Sequence, residues 1–372
     1  MSPPEPTRPE PIRHFLPGPV YVTEDVRQAM TAPIVSHRSA PFRAVYERVT
    51  GRLQEVFRTD RPVPFATGSA TLVMEIAVGS CVGGTVLNLV SGAFSERWHA
   101  ISRSLGRPAD RLDVPWGHAI DPDLVRRALR RGRYDAVTVV HNETSTGVIN
   151  PLAEIARAVR EESDALVLVD AVSSLAGAPV ETDAWGLDLV LTGSQKALAA
   201  PPGIVPFTAS ERAEERAAGV ADRGYYTDLL RYLDRHRRDG TITTPAIPIV
   251  WALDRQLERI AAEGIEQRWR RHGRLREQLA AWVDGPGGAR GVTFAAAAEA
   301  RSPTITCLGP PAGVDAPALV RRLGEKGYTV AGGYGAWKPT TFRIGHMGEV
   351  RAEDLGELLA VVEETLDEGD LS

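Results

Sequence analysis

Between residues 85 and 208 the chain alternates short, nearly unbroken apolar runs with stretches in which apolar residues recur every three or four positions. The first pattern belongs to strands covered on both faces, and the second to helices with one buried face. It predicts strands at Thr85 to Val90, Ala136 to His141, Ala165 to Asp170, Leu187 to Thr192 and Ile204 to Thr208. The helices predicted between them are Ser95 to Leu105, Asp121 to Arg131 and Pro151 to Glu162. The last opens on a proline, whose missing N–H is no loss in a first turn. Strand and helix in alternation predict an α/β fold around a mostly parallel sheet flanked by helices.

From about Ile247 the pattern changes. Pro248 to Glu263 and Gln267 to Val283 read as two long helices interrupted by Gly264. A second, smaller α/β unit follows, with the strand Pro303 to Leu308, the helix Ala316 to Lys326 and the Gly-rich segment Ala331 to Gly335. The strand Thr341 to Ile344 and a closing helix Ala352 to Asp367 complete it. The division expected is an extended or disordered arm over residues 1–13, a large unit over 14–260 and a small C-terminal unit over 261–372.

Composition narrows the class. With 372 residues and 43% hydrophobic content the chain can bury a sizeable core. A formal charge of -5 and a pI near 6.0 give no global field for nucleic acid or an anionic membrane. The run Arg235 to Arg238 is followed at once by Asp239 and reads as a solvated face. Cys81 and Cys307 lie far apart, without neighbours at metal-ligand spacing, and are expected to be buried thiols rather than metal ligands. No apolar run is long enough to span a bilayer, and the Pro-rich start lacks an apolar signal segment, so a cytoplasmic protein with neither membrane nor nucleic-acid partners is expected.

Four segments at predicted strand ends could carry chemistry, because open α/β sheets bind ligands there. Gly68-Ser69-Ala70-Thr71 precedes an apolar helix; its small residues and exposed N–H groups suit an anion, and Ser69 would equally serve as a plain helix cap. Asp170 ends a nearly continuous apolar strand, where a carboxylate needs a cation or several donors; a helix-capping Asp would look the same. Lys196 follows Leu189 to Gln195 and precedes a small-residue run ending in Pro201-Pro202-Gly203. In an enclosed site such an amine can lose its charge and act as a nucleophile, although a generic lysine ending a strand is a surface residue. His141 to Gly147 is dense in hydroxyls and amides, fitting either a polar wall or a turn held by side-chain bonds.

The segments HNETSTGVINP, VLVDAVSS, GSQKALAAPPG and FRIGHMG, in this order, resemble the class V aminotransferases of fold type I, and within them the alanine-glyoxylate and serine-glyoxylate group. The likeness runs from HFLPGP at His14 to Pro19 through to Gly348. It implies a large domain with a mostly parallel, seven-stranded type of sheet, a smaller C-terminal α/β domain, and pyridoxal 5'-phosphate as cofactor. By the same resemblance Lys196 is the Schiff-base lysine and Asp170 the partner of the pyridinium nitrogen. Phe94 stacks on the cofactor ring and Val172 covers its other face. Ser69, Ala70, Thr71 and Gln195 line the phosphate site, and Thr144 reaches the ring hydroxyl. Arg343 binds the substrate carboxylate, a role its fork-shaped guanidinium on an otherwise apolar strand supports on physical grounds.

Two positions depart from the family pattern. Ala70 supplies only its backbone to the phosphate turn, and Thr241 stands where relatives carry a tyrosine that reaches across from a partner subunit, with Thr244 at the matching threonine position. A crossing of that kind implies a homodimer with active sites at the subunit interface. The resemblance implies transfer of an amino group from a small amino acid, alanine or serine in type, to a 2-oxo acid such as glyoxylate or pyruvate. A lyase or other biosynthetic enzyme on the same scaffold, and a non-catalytic accessory subunit, are the alternatives. The segments Ser36 to Phe42 and Ala331 to Lys338 are expected to shape the side-chain pocket, with Tyr334 and Trp337 either walling it or packing.

Overall fold

The computed structural model describes residues 12–238, 240–369 and 371. Seven strands form the large sheet, in the spatial order Phe65–Thr67, Ile204–Ala209, Leu189–Leu191, Leu166–Asp170, Ala136–Val140, Val86–Val90 and Ala109–Asp113. Neighbours from Leu189–Leu191 to Ala109–Asp113 pair in parallel, and only Ile204–Ala209 runs against both its neighbours. All five residues of Leu166–Asp170 and of Ala136–Val140 are buried, because helices cover both faces of the sheet. The sheet is the α/β architecture that the apolar runs predict.

Differences from the sequence reading have local causes. Ala109–Asp113 has the sequence ADRLD and carries no apolar run, because as an edge strand it needs burial on one side only. Pro151 sits at the N-cap position rather than inside the first turn, with the helix beginning at Leu152. The long helix Ala40–Phe57, capped by Ser39, packs against Ile247–Glu263. Gly264, at φ 81°, ends that helix and starts Ile265–Trp282, the break that a glycine in left-handed conformation permits.

A second sheet has the order His14–Phe15, Thr329–Gly332, Phe342–Gly345, Ile305–Gly309 and Thr293–Phe294. The start of the described chain, expected in the large unit, thus pairs with the small sheet, His14 opposite Thr329 and Phe15 opposite Val330. Residues 1–11 of the expected N-terminal arm lie outside the described residues. Its last two positions are anchored: Ile12 is buried and donates its N–H to Asp354, and Arg13 lies over the Tyr328 ring. Helix Ile247–Glu263 packs into the core of the large sheet, whereas Leu275, Leu279 and Trp282 of the following helix join the core of the small one. Both cysteines are free and buried. Arg237 and Arg238 pair with Glu214 and Asp234, and Asp239 lies outside the described residues.

Candidate active site

The parallel strands and Phe65–Thr67 all end at one edge of the large sheet. That shared edge gathers the loops after Thr67, Val90, Val140, Asp170 and Leu191, distant in sequence, around one place.

Lys196 lies in the loop after Leu189–Leu191, its side chain partly buried and its Nζ donating to the carbonyl of Pro17. The segment around Gly18 is laid directly on the lysine stem. A Cβ built on Gly18 would stand 2.6 Å from Lys196 Cε and 2.7 Å from Nζ, and Gly18 adopts φ +113°. The N–H of Val20 then donates to the carbonyl of Gln195. Behind the loop, Arg268 donates to the carbonyl of Ala197 at 2.9 Å. Burial drives the lysine pKa down to about 8, helped by the charge of Arg343 and opposed by Asp170.

Asp170 occupies the last position of its strand, in register with Val140 and Leu191. Burial raises its pKa to about 6, against the 2.8 Å hydrogen bond donated by the N–H of Val172. Glu143 pushes in the same direction as burial, while Lys196 and Arg97 oppose it. A carboxylate so enclosed, with one protein N–H on it, is a place for a cation or an N–H donor.

The turn Gly68 to Thr71 leads into helix Ala70–Cys81 and is pinned by the N–H of Gly68 donating to Gly203 at 2.9 Å. Ser69 occupies the N-cap position, but its hydroxyl makes no capping bond and the first turn carries no acid. The capping role open to Ser69 is therefore unused, and the first-turn N–H groups face outward without a side-chain acceptor.

Phe94 stands at the start of helix Ala93–Ser104 and stacks on Tyr334, centroids 5.2 Å apart and planes at 19°. Sequence reasoning overlooked what fixes it there. Glu143, fully buried, accepts the N–H groups of Phe94 and Ser95 at 3.3 and 2.9 Å and the hydroxyls of Ser95 and Ser145 at 3.0 and 2.6 Å. A carboxylate at a helix N-terminus meets both the free N–H groups and the positive end of the helix dipole.

Thr144 is buried with its hydroxyl 2.6 Å from that of Ser173, and its carbonyl accepts from Arg343 at 3.1 Å. Arg343 also donates Nε to Gly332 at 2.9 Å, and its guanidinium lies 5.4 Å from the centre of the Tyr334 ring. It is buried without an acid at ion-pair distance among the described residues. Val172 is buried beside Asp170, and Gln195 adjoins Lys196. The structure thus brings together the segments of Lys196, Asp170, Val172, Gln195, Thr144, Phe94 and Arg343. Thr244 is exposed, and Thr241 is buried with its hydroxyl on the carbonyl of Thr243; among the described residues neither these two nor Ser36 to Phe42 make a hydrogen bond to Lys196. Of the two aromatic residues left open by the sequence, Tyr334 borders the site, and Trp337 meets Trp116 edge-on at 5.6 Å.

An amine, an enclosed acid, an open helix N-terminus and a buried guanidinium thus gather at the carboxyl ends of a parallel sheet, the place where α/β enzymes bind small molecules. A model of the aminotransferase class-V family matches residues 31–353. The chain is 39% identical to an uncharacterized aminotransferase of Methanocaldococcus jannaschii over 95% of its own length and 92% of that protein. With the small subunit of a soluble hydrogenase of a Synechococcus strain it shares 34% identity over 95% and 92% of the two chains. The crystal structure of an alanine–glyoxylate aminotransferase from Nostoc sp. superposes with a TM-score of 0.89 at 33% identity, covering 97% of each chain. The chain belongs to the class V aminotransferases and has their fold type I architecture.

Proposed function

We propose that the protein is a pyridoxal-phosphate-dependent aminotransferase that carries its cofactor on Lys196 and moves an amino group from a small amino acid, alanine or serine in type, to a 2-oxo acid such as glyoxylate or pyruvate. The observation that carries this reading is the pair at adjacent strand ends, Lys196 with its amine pKa lowered to about 8 and Asp170 buried with one donor.

The residues fit the cofactor. The bare N-terminus of helix Ala70–Cys81, with Ser69, Ala70, Thr71 and the neighbouring Gln195, suits a phosphate. Asp170 would hold the proton on the ring nitrogen, and Phe94 and Val172 would cover the two faces of the ring. Thr144 would meet the ring hydroxyl. Bound there, the ring withdraws the electrons left behind when a proton is taken from the substrate Cα. Lys196, neutral at little cost, would move that proton as general base, and Arg343 would fix the substrate carboxylate by a two-pronged bond. The Pro17–Gly18 segment keeps water from the amine. Thr244, exposed in one chain, would complete the phosphate site of a second copy, giving a homodimer, and the setting is the cytoplasm. Consistent with that setting, no described helix is long and apolar enough to cross a membrane.

A lyase acting through a thiol is disfavoured, since burial raises the Cys307 thiol to about 11. An accessory subunit without catalysis would have no use for the isolated charges of Lys196, Asp170 and Arg343. The test is the absorption spectrum of the purified protein, with borohydride reduction and peptide mapping of the labelled lysine, repeated on Lys196→Ala. A colourless protein that takes up no pyridoxal phosphate would refute the assignment. Loss of the bound chromophore's absorbance on adding alanine or serine, and its return with glyoxylate, separates transamination from elimination.

A further inference from the structure

Arg97 lies one helical turn beyond Phe94, on the same side of helix Ala93–Ser104. Its guanidinium rests 4.9 Å from the centre of the Phe94 ring, and one Nη donates to the Tyr334 hydroxyl at 3.3 Å. That is its one hydrogen bond among the described residues, and no acid stands at ion-pair distance. Arginines elsewhere, such as Arg48, Arg126, Arg259 and Arg290, are held by carboxylates. Arg343, also without an acid, faces the ring of the same tyrosine. Two guanidiniums therefore meet one Tyr334 side chain, one at its hydroxyl and one over its ring. Arg97 thus touches both aromatic residues that border the site, Phe94 and Tyr334, and its charge acts in the same field as Asp170 and Lys196.

One α-carboxylate accounts for one guanidinium. We propose that Arg97 is a specificity-determining residue that, with the Tyr334 hydroxyl, receives the second carboxylate of a dicarboxylic amino acid and of the corresponding 2-oxo dicarboxylic acid. The inference rests on the assignment of Arg343 to the α-carboxylate. The geometry supplies the donors: a guanidinium has five N–H groups, of which one is spent, and its face is occupied by Phe94, leaving an edge for a carboxylate. The Tyr334 oxygen accepts from Arg97, so its own hydrogen is free to donate to the same carboxylate.

The experiment compares aspartate and glutamate with alanine and serine as amino donors to the cofactor-loaded protein, in wild type, Arg97→Gln and Tyr334→Phe, with calorimetric binding of maleate and of acetate. Wild type is expected to accept a dicarboxylic donor in addition to alanine or serine, and to bind maleate more tightly than acetate. Arg97→Gln is expected to lower the ratio of kcat/KM for the dicarboxylic donor over alanine by about 100-fold, through KM, and to weaken maleate accordingly. Tyr334→Phe, a change at an exposed residue, is expected to lower the same ratio by about tenfold. Wild-type turnover of alanine or serine without response to aspartate, glutamate or maleate overturns this inference and leaves the aminotransferase assignment standing. An equal fall for both kinds of donor in Arg97→Gln also overturns it, reducing Arg97 to a prop for Phe94. A protein that takes up no cofactor overturns both.

Discussion

An amine meant to attack must be able to shed its proton when its substrate arrives, and enclosure eases that for Lys196 by lowering its pKa to about 8. The chain has only three lysines, Lys196, Lys326 and Lys338, so the point can be read by chemical labelling. In cofactor-free protein, methylation of Lys196 is expected to rise through a midpoint near pH 8, while Lys326, bonded to Glu368 and Glu364, keeps its charge to higher pH. A midpoint shared with Lys326 would show that Lys196 is solvated. Asp170 makes a second residue-scale prediction. Its folded pKa, raised to about 6, exceeds the unfolded value near 3.8, so between these the native state binds the extra proton and stability falls as pH rises. The destabilisation is complete above about pH 6. Cofactor-free Asp170→Asn should therefore be more stable than wild type at pH 8, by on the order of 2 to 3 kcal/mol, with the gap closing near pH 4. Thermal melts across that range check it, and a gap independent of pH would contradict it. Both residues stood out in the sequence through the family resemblance, since an acid or a lysine after an apolar strand reads by itself as a helix cap or a surface residue. Arg97 did not: on a helix, one turn past Phe94, it has the spacing of any solvated arginine, and only the approach of Tyr334 from 237 positions away gives it a role.

Helix Ala93–Ser104 shows how one buried acid can set the bearing of an element. Glu143 takes the place of a side-chain cap and comes from a different strand end, so the ring of Phe94 is aimed by the two-stranded ladder Asn142–Glu143 with Val148–Ile149. Gly92 is small for the same reason, since a Cβ there would lie 2.7 Å from the Glu143 carboxyl carbon. Glu143→Ala leaves several buried donors without an acceptor and should cost about 3 kcal/mol in urea denaturation, together with much of the affinity for pyridoxal phosphate. Glu143→Gln, which keeps one acceptor oxygen, should cost less. Equal and small losses would show that water replaces the carboxylate. In the sequence Glu143 was one more polar residue of HNETSTG, because periodicity reports burial of apolar residues and says nothing of a charge buried on purpose. Apolar runs revealed the central strands for the converse reason, and the polar edge strand Ala109–Asp113 escaped by the same logic.

Buried charges join the two sheets alongside Ile305 and Met347, which pack into the core of the large one. A cavity of about 1040 Å³ between them is lined by Asp25, Arg259, Glu263, Arg268, Arg271 and Glu349, away from Lys196. Arg268, almost wholly buried, pairs with Glu263 at 2.8 Å and Glu349 at 3.0 Å while holding the carbonyl of Ala197. Burial alone would raise the pKa of Glu349, but Arg268, Arg259 and Gln256 overcome it and hold the carboxylate well below its usual range. Such an acid stabilises the fold above about pH 4.5, its ordinary value, and the contribution is lost as pH falls toward the folded pKa. Glu349→Gln leaves Arg268 with half its compensation and should cost about 3 kcal/mol at neutral pH, seen in urea denaturation, with a smaller difference from wild type in acid. An unchanged midpoint would mean that Glu263 alone suffices. Little of this scale was legible in the sequence, since ion pairs between residues 81 positions apart leave no local pattern.

The strap over Lys196 also sets an order of events. Its Pro17–Gly18 segment is held in place by His14–Phe15, which pairs with Thr329–Val330, so this strand finds its partner only after synthesis has passed residue 330. Until then Lys196 lacks its cover and the desolvation that lowers its pKa. A nascent chain stalled before residue 329 would thus hold a lysine not yet tuned, and maturation of the amine becomes an event of the finished molecule, timed by the closing of a two-residue strand.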